Sequence, residues 1–406
     1  MRKHAINQTM LRVKDQFPIF SVNPGLTYLD SAATAQKPQA VIDAVLKYYT
    51  KQNAPIHRGL YPLANQATTS FEQAREQVAA FIDVDRSEII FTRSATESLN
   101  LLASSLSKSW PTGSAVIVSR SEHHANFLPW QQLGVELRIV NLTATGETDL
   151  IHLAQLIDSN VRVVSLAHCS NVLGSFTPLA AVRKILDQQG STAVLIADLC
   201  QSIPHIPISM QQLGCDFAVF SGHKLYGPSG IGVLWGKACL LKNLLPYQLG
   251  GEMIKTVNAE TATWNDIPWK FEAGTPNVEG AIGLAAAIGW IQHTGRAEIE
   301  ATTVELHTYA VKQLGSLESV RIIGTPDSRS GIVSFVTAAL HPHDLAEQLG
   351  RSQICIRAGQ HCAAPLHQAL NIGASSRISL AAYNDVTDID RAITHIKQII
   401  YEVTHA

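Results

Sequence analysis

The sequence contains little cysteine, and its apolar runs are short. Among 406 residues there are six cysteines, and no two of them form a C-x-x-C pair. This spacing argues against a disulfide-stabilised scaffold and against a thiolate zinc site, so we expect reduced cysteines. The longest weakly polar stretch, residues 278–291, is too short to cross a bilayer, and the N-terminal residues lack the apolar core of a secretory signal. We therefore predict a cytoplasmic protein that is not attached to a membrane.

Charge and metal-binding patterns are also scarce. Charged residues make up 16% of the chain, and 31 basic residues stand against 33 acidic ones, which is too little positive charge to predict a nucleic-acid partner. No H-E-x-x-H motif occurs, and neither His123-His124 nor His341 with His343 has the spacing of helical metal ligands. We predict no metal site. A chain of this length that is 46% hydrophobic can bury a large core, divided into about two or three domains.

Short β-branched runs alternate with helix-like segments along the first two thirds of the chain. The runs cover residues 88–91, 115–118, 137–140, 161–164, 193–196 and 217–220. Such alternation predicts an α/β domain with a mostly parallel, buried sheet, whose ligands gather beyond the carboxyl ends of the strands.

The last third of the chain has a different pattern. After a helix-like stretch at residues 279–291, we predict strands at 320–323, 331–336, 354–357 and 377–382. Helices are predicted at residues 343–349 and from about residue 388 onwards. This mixture indicates a smaller α+β domain.

Two of the predicted strands are followed by residues that could hold a charged ligand. Ser94 with Glu97 three residues later fits a capping box, so Ala95 and Thr96 would present backbone N–H groups to a phosphate. An ordinary helix cap with nothing bound explains the same pattern. Asp198 ends a very apolar strand and needs a partner, because an uncompensated buried carboxylate is costly. A protonated ring nitrogen or a structural salt bridge would serve.

A lysine lies in a glycine-flanked turn between two apolar runs, in the segment FSGHKLYGPSGIGVLWG (220–236). A lone lysine in a turn is usually just solvated. However, pyridoxal 5'-phosphate requires three groups that occur together here. They are a phosphate-binding helix start, an aspartate for the pyridine nitrogen and a lysine that can form an imine. We therefore predict that Lys224 carries this cofactor.

Motifs along the whole chain resemble those of the cysteine desulfurases, in the class-V aminotransferase family. They are YLDSAATAQKP (28–38), SEHHANFLPW (121–130), SNVLG (170–174), FSGHKLYGPSGIGVLWG (220–236), FEAGTPN (271–277) and RAGQHCAAPL (357–366). The short RAG-x-HC loop and the pair His57-Arg58 resemble the group of SUF-type and CSD-type enzymes, and RAGQHCA is most similar to the CSD-type (cysteine sulfinate desulfinase) branch.

The resemblance implies fold type I of the pyridoxal-phosphate enzymes. That fold has a large domain with a mostly parallel, seven-stranded sheet and a smaller C-terminal α+β domain. The division that we expect is an N-terminal segment, residues 1–22, packed on the small domain, a large cofactor-binding domain at residues 23–292, and a small domain at residues 293–406 that carries the active-site cysteine loop.

The resemblance also assigns roles residue by residue. It makes Lys224 the Schiff-base lysine and the base for the substrate Cα proton, with Asp198 at the pyridinium and His123 stacked on the ring. The remaining cofactor contacts that it implies are Asn171 and Gln201 at the ring substituents, and Thr96, Ser221 and His223 at the phosphate. Ala95 is added to the phosphate contacts from its place at the helix start, through its backbone N–H. Thr275 would reach the phosphate of the opposite subunit, which implies a homodimer with shared sites. The substrate-binding residues that it implies are Arg377 at the α-carboxylate, Asn171, His57 and Arg357.

Cys362 is the candidate nucleophile, because His361 and Arg357 nearby could favour its thiolate. A small buried core residue is the alternative, and we keep that interpretation for Cys169, Cys200, Cys215, Cys239 and Cys355. The resemblance implies that L-cysteine is converted to L-alanine, that the sulfur remains on Cys362 as a persulfide, and that a small SufE/CsdE-like acceptor protein receives it. We expect selenocysteine and cysteine sulfinate as additional substrates, because the same cofactor chemistry eliminates either group.

The sequence departs from the family pattern at two places, and it leaves two other functions to be considered. Ser94-Ala95 replaces a Gly-Thr pair, which removes one phosphate-binding hydroxyl, and Leu199-Cys200 replaces smaller residues beside the cofactor. Another aminotransferase or lyase of the same fold type would share the fold without needing Cys362. A non-catalytic cofactor-binding or sulfur-carrier scaffold would need neither Lys224 nor Cys362 in this pairing.

Overall fold

The computed structural model describes residues 13–324 and 330–405. These residues form one seven-stranded sheet, one four-stranded sheet and two two-stranded sheets. In chain order the strands are β1 (Thr27–Tyr28), β2 (Ile89–Thr92), β3 (Ala115–Ser119), β4 (Glu136–Val140), β5 (Val161–Ala167), β6 (Val194–Asp198), β7 (Phe217–Ser221), β8 (Gly232–Gly236), β9 (Ile254–Val257), β10 (Ala262–Trp264), β11 (Val320–Ile322), β12 (Ile332–Thr337), β13 (Ile354–Cys355), β14 (Arg357–Gly359) and β15 (Ser375–Ser379).

Helices connect the strands and cover the sheets. In chain order they are α1 (Pro18–Val22), α2 (Gln39–Lys51), α3 (Pro62–Phe81), α4 (Ala95–Ser107), α5 (Leu128–Gln131), α6 (Leu150–Leu156), α7 (Leu179–Gln188), α8 (Met210–Leu213), α9 (Ala238–Asn243), α10 (Val278–Thr294), α11 (Arg296–Gly315), α12 (Pro342–Arg351), α13 (Ala364–Ala369) and α14 (Val386–His405). Among the helices of the described residues, none has the length and apolar character needed to cross a membrane.

The seven-stranded sheet confirms the predicted α/β architecture. Its strand order is β2-β8-β7-β6-β5-β3-β4, and only β8 runs antiparallel to its neighbours. The central strands are buried on both faces, as in β3, where all five residues are buried. Buried parallel strands need apolar residues on both faces, which is why these runs read as continuously apolar in the sequence.

All six strands predicted for the large sheet are present within a few residues of their predicted bounds. The seventh, β8, is a strand that the six apolar runs did not include. The hairpin of β9 and β10 was also missed, because its strands are only four and three residues long and most of their residues are exposed.

The four-stranded sheet has the order β11-β12-β15-β14 and is antiparallel throughout. The strand predicted at residues 354–357 is two short strands, of which β13 pairs with β1 and β14 pairs with β15. The strand predicted at residues 377–382 begins at Ser375 and ends at Ser379. It ends early because the chain turns there, and the Ala381 N–H donates to the side chain of Asn384.

The N-terminal segment contacts both parts of the chain. Phe17 packs against Tyr226 and Trp290 from the first 292 residues and against Tyr383 from the last part of the chain. Lys14 donates to Asp388 at 2.8 Å. Residues 1–12 of the predicted segment lie outside the described residues, and the division at residues 22 and 292 stays a prediction.

A buried ion pair joins α3 to the edge of the large sheet. The Arg75 guanidinium donates to both carboxylate oxygens of Glu272, at 2.6 and 2.8 Å, and to the carbonyl of Ile89 at 2.8 Å. Glu272 also accepts from the Phe91 N–H of β2 at 2.7 Å. Burial alone would lower the pKa of Arg75, but the charges of Glu272 and Glu72 raise it, so the guanidinium stays charged.

We predict that Arg75→Leu lowers the free energy of unfolding by about 3–5 kcal/mol, because it leaves a buried carboxylate without its cation. Arg93→Leu is the matched control, since Arg93 is 71% exposed and pairs with Glu97 at the surface. That variant should lose less than about 1 kcal/mol. Urea unfolding followed by tryptophan fluorescence measures both, and equal losses in the two variants would contradict the argument.

Candidate active site

Five strands of the large sheet end at one edge, and each is followed by a predicted site residue. β2 leads to Ala95, β3 to His123, β5 to Asn171, β6 ends at Asp198, and β7 leads to Lys224. The parallel register places Ala167 of β5 beside Asp198, and Asp198 beside Val219 of β7. Strands that run the same way end at the same edge, so residues far apart in the sequence meet there.

Asp198 is a buried carboxylate at the centre of this edge. Its side chain is 6% exposed, and it accepts one hydrogen bond from the Cys200 N–H at 2.9 Å. No lysine, arginine or histidine nitrogen in the described chain forms an ion pair with it. A buried carboxylate with one hydrogen bond and no counter-charge is unfavourable, so the site is suited to a ligand that brings a cation. The structural salt bridge considered from the sequence is absent from the described residues.

Lys224 lies in a single helical turn directly after β7. The turn is pressed against β8, because the Gly222 N–H donates to the Ile231 carbonyl at 2.9 Å. A Cβ atom at Gly222 would come within 2.7 Å of the Ile231 side chain, so glycine is required at this position. The Lys224 charge acts on both His123 and Cys200, which places the ammonium group beside the Asp198 edge.

His123 caps the short turn His124–Asn126, and its Nδ1 accepts from the Ala125 N–H at 3.0 Å. That nitrogen therefore carries no hydrogen. Burial, followed by the nearby Lys224 charge, lowers the pKa of His123 to about 4. At neutral pH the ring is uncharged, which suits stacking on an aromatic ligand. The ring lines a cavity of about 740 Å³ together with Thr96 and Leu128.

Helix α4 begins at this cavity with the predicted cap. The Ser94 hydroxyl accepts from the Glu97 N–H at 3.3 Å, and the Glu97 carboxylate accepts from the Arg93 N–H at 2.6 Å. The Ala95 N–H was expected to face a phosphate. In the structure it instead donates to the Ser221 hydroxyl at 2.9 Å. Thr96 is exposed and faces the cavity. The helix N-terminus therefore remains available to an anion at Thr96, with the Ser221 hydroxyl beside it.

Arg377 brings a second charge to the site from β15 of the small sheet. Its side chain is almost fully buried and donates to the Asn171 carbonyl and to Asp30, each at 2.9 Å. Its Nε is buried and has no partner in the described chain. Burial lowers the pKa of Arg377, and the positive charge of Arg357, its register neighbour on β14, acts in the same direction. The unpaired N–H favours a bound anion.

The loop that carries Cys362 is fastened to the large-sheet edge. The Cys362 carbonyl accepts from the His124 N–H at 2.7 Å, and the Ala364 N–H donates to His124 Nε2 at 3.1 Å. The His361 carbonyl accepts from the Asn171 side chain at 2.7 Å. Cys362 itself is half-buried and interacts electrostatically with Arg377. The structure therefore brings Cys362 to the residues that surround Lys224.

Four other predicted residues lie around or outside this cluster. Gln201 donates to the Ala32 carbonyl at 2.9 Å. His223 directly precedes Lys224, and burial lowers the pKa of its ring to about 4. His57 contacts Glu72 at 3.0 Å rather than the cluster, within the described residues. Thr275 is exposed and lines a separate cavity. His57 and Thr275 are thus the two predicted residues that this single chain does not bring to the site.

Sequence reasoning missed two residues that hold the site together. His124 supplies two hydrogen bonds to the cysteine loop, and Asp30 is the carboxylate partner of Arg377. Both lie inside motifs that were singled out, SEHHANFLPW and YLDSAATAQKP. Their roles depend on contacts across more than 200 residues of sequence, which no local pattern encodes.

The residue set fits pyridoxal 5'-phosphate. It offers Asp198 to a ring cation, a neutral His123 ring to an aromatic face, a helix start to a phosphate and the Lys224 amine to an aldehyde. Across residues 13–324 and 330–405 no group of three or more histidine, cysteine or carboxylate side chains could hold a metal ion.

The cysteines differ in burial, and one prediction about them is wrong. Cys169, Cys200 and Cys215 are buried, as expected for core residues. Cys239 is exposed and Cys355 is half-buried. Cys239 lies in the second position of the short helix α9, where only Leu241 is buried, so its side chain faces outward.

We predict that iodoacetamide at pH 8 modifies Cys362 and Cys239 in the native protein but spares Cys169, Cys200 and Cys215. Burial raises the pKa of each of these three thiols to about 12. At pH 8 only about one in ten thousand of each would be thiolate, the reactive form. Peptide mass spectrometry measures the labelling, and denatured protein, in which all should react, is the control. Rapid native labelling of the buried three would contradict the structure.

Comparison with known proteins agrees with this geometry. The family model for aminotransferase class-V matches residues 27–392. A cysteine desulfurase from Yersinia pseudotuberculosis is 44% identical over 398 residues, covering 96% of this chain and 97% of that protein.

Solved structures give the same result. Cysteine desulfurase CsdA from Escherichia coli, in an S-sulfonic acid form, superposes with a TM-score of 0.90 at 37% identity, covering 97% of this chain and 98% of that one. The apo cysteine desulfurase of Thermococcus onnurineus NA1 gives a TM-score of 0.91 at 33% identity, covering 96% of this chain and 98% of that one. The chain belongs to the class-V aminotransferase family and, within it, to the cysteine desulfurases.

Proposed function

We propose that this protein removes sulfur from L-cysteine with Lys224 as the proton-transferring base and Cys362 as the sulfur acceptor. The observation that carries this proposal is the fastening of the Cys362 loop to His124 and Asn171, which follow β3 and β5 at the edge that also bears Asp198 and Lys224. A buried structural cysteine would need no such attachment between two sheets.

The cofactor of this family is pyridoxal phosphate, which when bound supplies a ring that accepts electrons from the substrate Cα. Asp198 would hold the ring cation, since no lysine, arginine or histidine side chain of the described residues forms an ion pair with its carboxylate. His123, kept neutral by burial, would cover one ring face. Thr96 and Ser221 would face the phosphate at the start of α4, and Ala95 would act through its hydrogen bond to Ser221. His223, Gln201 and Asn171 complete the set of proposed cofactor contacts.

Lys224 would take the Cα proton at its Nζ and return a proton at the end of the reaction. Arg377 would hold the substrate α-carboxylate, because its buried Nε–H has no partner and a guanidinium binds a carboxylate in a defined orientation. Arg357, opposite Arg377 in the antiparallel register, adds positive charge beside this anion. The substrate is thereby oriented with its side chain free to meet Cys362.

The Cys362 thiolate would then attack the substrate sulfur. The new bond is the S–S bond of the persulfide, the bond that breaks is the substrate Cβ–S bond, and its electron pair ends as a C–H bond at Cβ after protonation. The overall balance is L-cysteine plus an enzyme thiol giving L-alanine plus an enzyme persulfide, with no external oxidant. Selenocysteine and cysteine sulfinate present the same Cβ bond to a heteroatom, so we propose them as further substrates.

We also propose a homodimer and a small SufE/CsdE-like acceptor protein, in the cytoplasm. His57 and Thr275 support the dimer, since neither contacts the cluster within the described residues of one chain and both could complete the site of a second one. The acceptor is supported by the half-buried position of Cys362 on a short loop between β14 and α13, which cannot carry a persulfide far from the site.

We predict that Cys362→Ala abolishes alanine formation from L-cysteine in a single-turnover assay, while binding of the cofactor, followed by its absorbance, is unchanged. The wild type should release one alanine per site and gain one sulfur atom in mass on the peptide that carries Cys362. Cys239→Ala is the matched control, because it removes an exposed thiol remote from the loop and should leave alanine release intact.

The two alternative functions give different outcomes in the same assay. An aminotransferase or lyase that does not use the cysteine would keep its activity in Cys362→Ala. A scaffold would bind the cofactor and form no alanine even as wild type. If the wild type does form alanine, Lys224→Ala should lower the rate by a factor of about 100 to 10,000, because it removes the catalytic base.

For the assembly, we predict a sedimentation mass of twice the 44.0 kDa chain. A mixture of Lys224→Ala and Thr275→Ala chains should form some dimers with one intact site, and recover part of the activity that each variant lacks. A monomeric mass, or no recovery after confirmed subunit exchange, would contradict shared sites.

A further inference from the structure

Three buried side chains form a hydrogen-bonded relay behind Cys362. The Ser375 hydroxyl lies 3.0 Å from His361 Nε2 and 3.0 Å from His367 Nε2. His367 Nδ1 lies 3.0 Å from the carbonyl oxygen of Ala363. His361 Nδ1 is buried and has no partner among the described residues. His361, Ser375 and His367 are each at most 3% exposed, so the solvent supplies little to this relay.

The geometry determines where the hydrogens lie. A carbonyl oxygen can only accept, so His367 Nδ1 carries a hydrogen, and in the neutral ring Nε2 is then an acceptor. The Ser375 hydroxyl must therefore donate to His367 and accept from His361. His361 accordingly has its hydrogen on Nε2 and a bare Nδ1. The opposite arrangement would bury an N–H group of His361 without an acceptor, which is unfavourable.

Neutral rings are required for this arrangement, and the surroundings keep them neutral. Burial lowers the pKa of His367. Burial, followed by the charge of Arg377 and by His367 and Arg357, lowers the pKa of His361 to about 2. Both rings are thus uncharged at neutral pH. His361 is consequently a poor base, which argues for a structural task rather than proton transfer.

That task follows from what the relay connects. Its two ends, the His361 ring and the Ala363 carbonyl, belong to the residues directly before and after Cys362. Between them the backbone is unusual, since His361 and Cys362 have φ angles of 51° and 57°. Two consecutive side-chain-bearing residues rarely adopt this left-handed region, so it must be held by contacts. The middle of the relay, Ser375, stands on β15, the strand that also carries Arg377.

We propose that Ser375 and His367 are positioning residues that hold Cys362 at the substrate by keeping the loop on both sides of it in this conformation. The assignment to catalysis rests on the proposed function of Cys362, whereas the relay itself is a property of the folded protein. Arg377 lies on β15, and the Cys362 loop is attached to the same strand through Ser375. The group that binds the substrate carboxylate and the group that receives its sulfur keep a constant separation.

The first test reads the hydrogens directly, without activity. Nitrogen NMR of the holoenzyme labelled with ¹⁵N-histidine at pH 7 should give neutral rings for both residues, with the hydrogen of His361 on Nε2 and that of His367 on Nδ1. Signals are assigned with His361→Gln and His367→Gln. The reverse tautomers, or a charged ring at either position, would overturn the relay.

The second test measures the loop. Ser375→Ala should change the rate of Cys362 alkylation by iodoacetamide at least about threefold, and lower kcat for alanine release about 10- to 100-fold with little change in KM, because a small misplacement of a reacting group costs this much. Ser375→Thr keeps the hydroxyl and should restore both rates. Ser376→Ala is the matched control, since alternation along β15 directs that buried serine to the opposite face.

The outcomes separate the two proposals. If Ser375→Ala folds, binds the cofactor and shows wild-type alkylation and kcat, Ser375 is not a positioning residue. If Ser375→Ala does not fold, the wild-type tautomers test the proposal instead: the expected tautomers support the relay, and the reverse tautomers overturn it. If the wild type has the expected tautomers but forms no alanine, the relay stands and the function proposed for Cys362 fails.

Discussion

The carboxyl ends of β2, β3, β5, β6 and β7 lie at one edge of a single sheet, and the site depends on this constraint. Because these strands run the same way, each returns its last residue to the same edge. One of these residues, Asp198, is a carboxylate buried without a cation from the described chain. Burying a carboxylate with a single hydrogen bond is unfavourable, and a cationic ligand would relieve that cost. The sheet therefore provides both the location of the cofactor site and a reason for a cationic ligand there.

The second sheet is joined to this edge through polar contacts. Arg377 reaches from β15 to the Asn171 carbonyl, and Asn171 returns a hydrogen bond to the carbonyl of His361. His124 completes the connection with two bonds to the loop. Arg377 and Asn171 are buried and His124 is half-buried, and a buried polar group is costly if it is left unpaired. The cysteine loop is therefore held in place by the same rule that requires buried donors and acceptors to be satisfied.

Features that depend on neighbouring residues in the sequence could be predicted, whereas features that depend on contacts between distant residues could not. The strands of the large sheet could be predicted because an apolar strand is a local pattern, and the cap of α4 because Ser94 and Glu97 are three residues apart. β8 was not predicted as a strand, although its residues are buried, because its apolar run is short and bounded by glycines. The hairpin of β9 and β10 was not predicted because its two strands are short and mostly exposed. The burial of Cys239 was predicted wrongly, because a short apolar stretch does not reveal which side of a six-residue helix faces the core.

The sequence by itself determined the family, the cofactor chemistry and the identity of the candidate residues, since those are carried by residue types in recognisable motifs. Only the tertiary structure decided how the residues are held. Three contacts show this: the hydrogen bond from the Ala95 N–H to Ser221, the pairing of Arg377 with Asp30, and the relay through Ser375. The residues that they join are 8 to about 350 positions apart in the chain. Such contacts depend on where separate strands and loops pack, and no local pattern of residues specifies that.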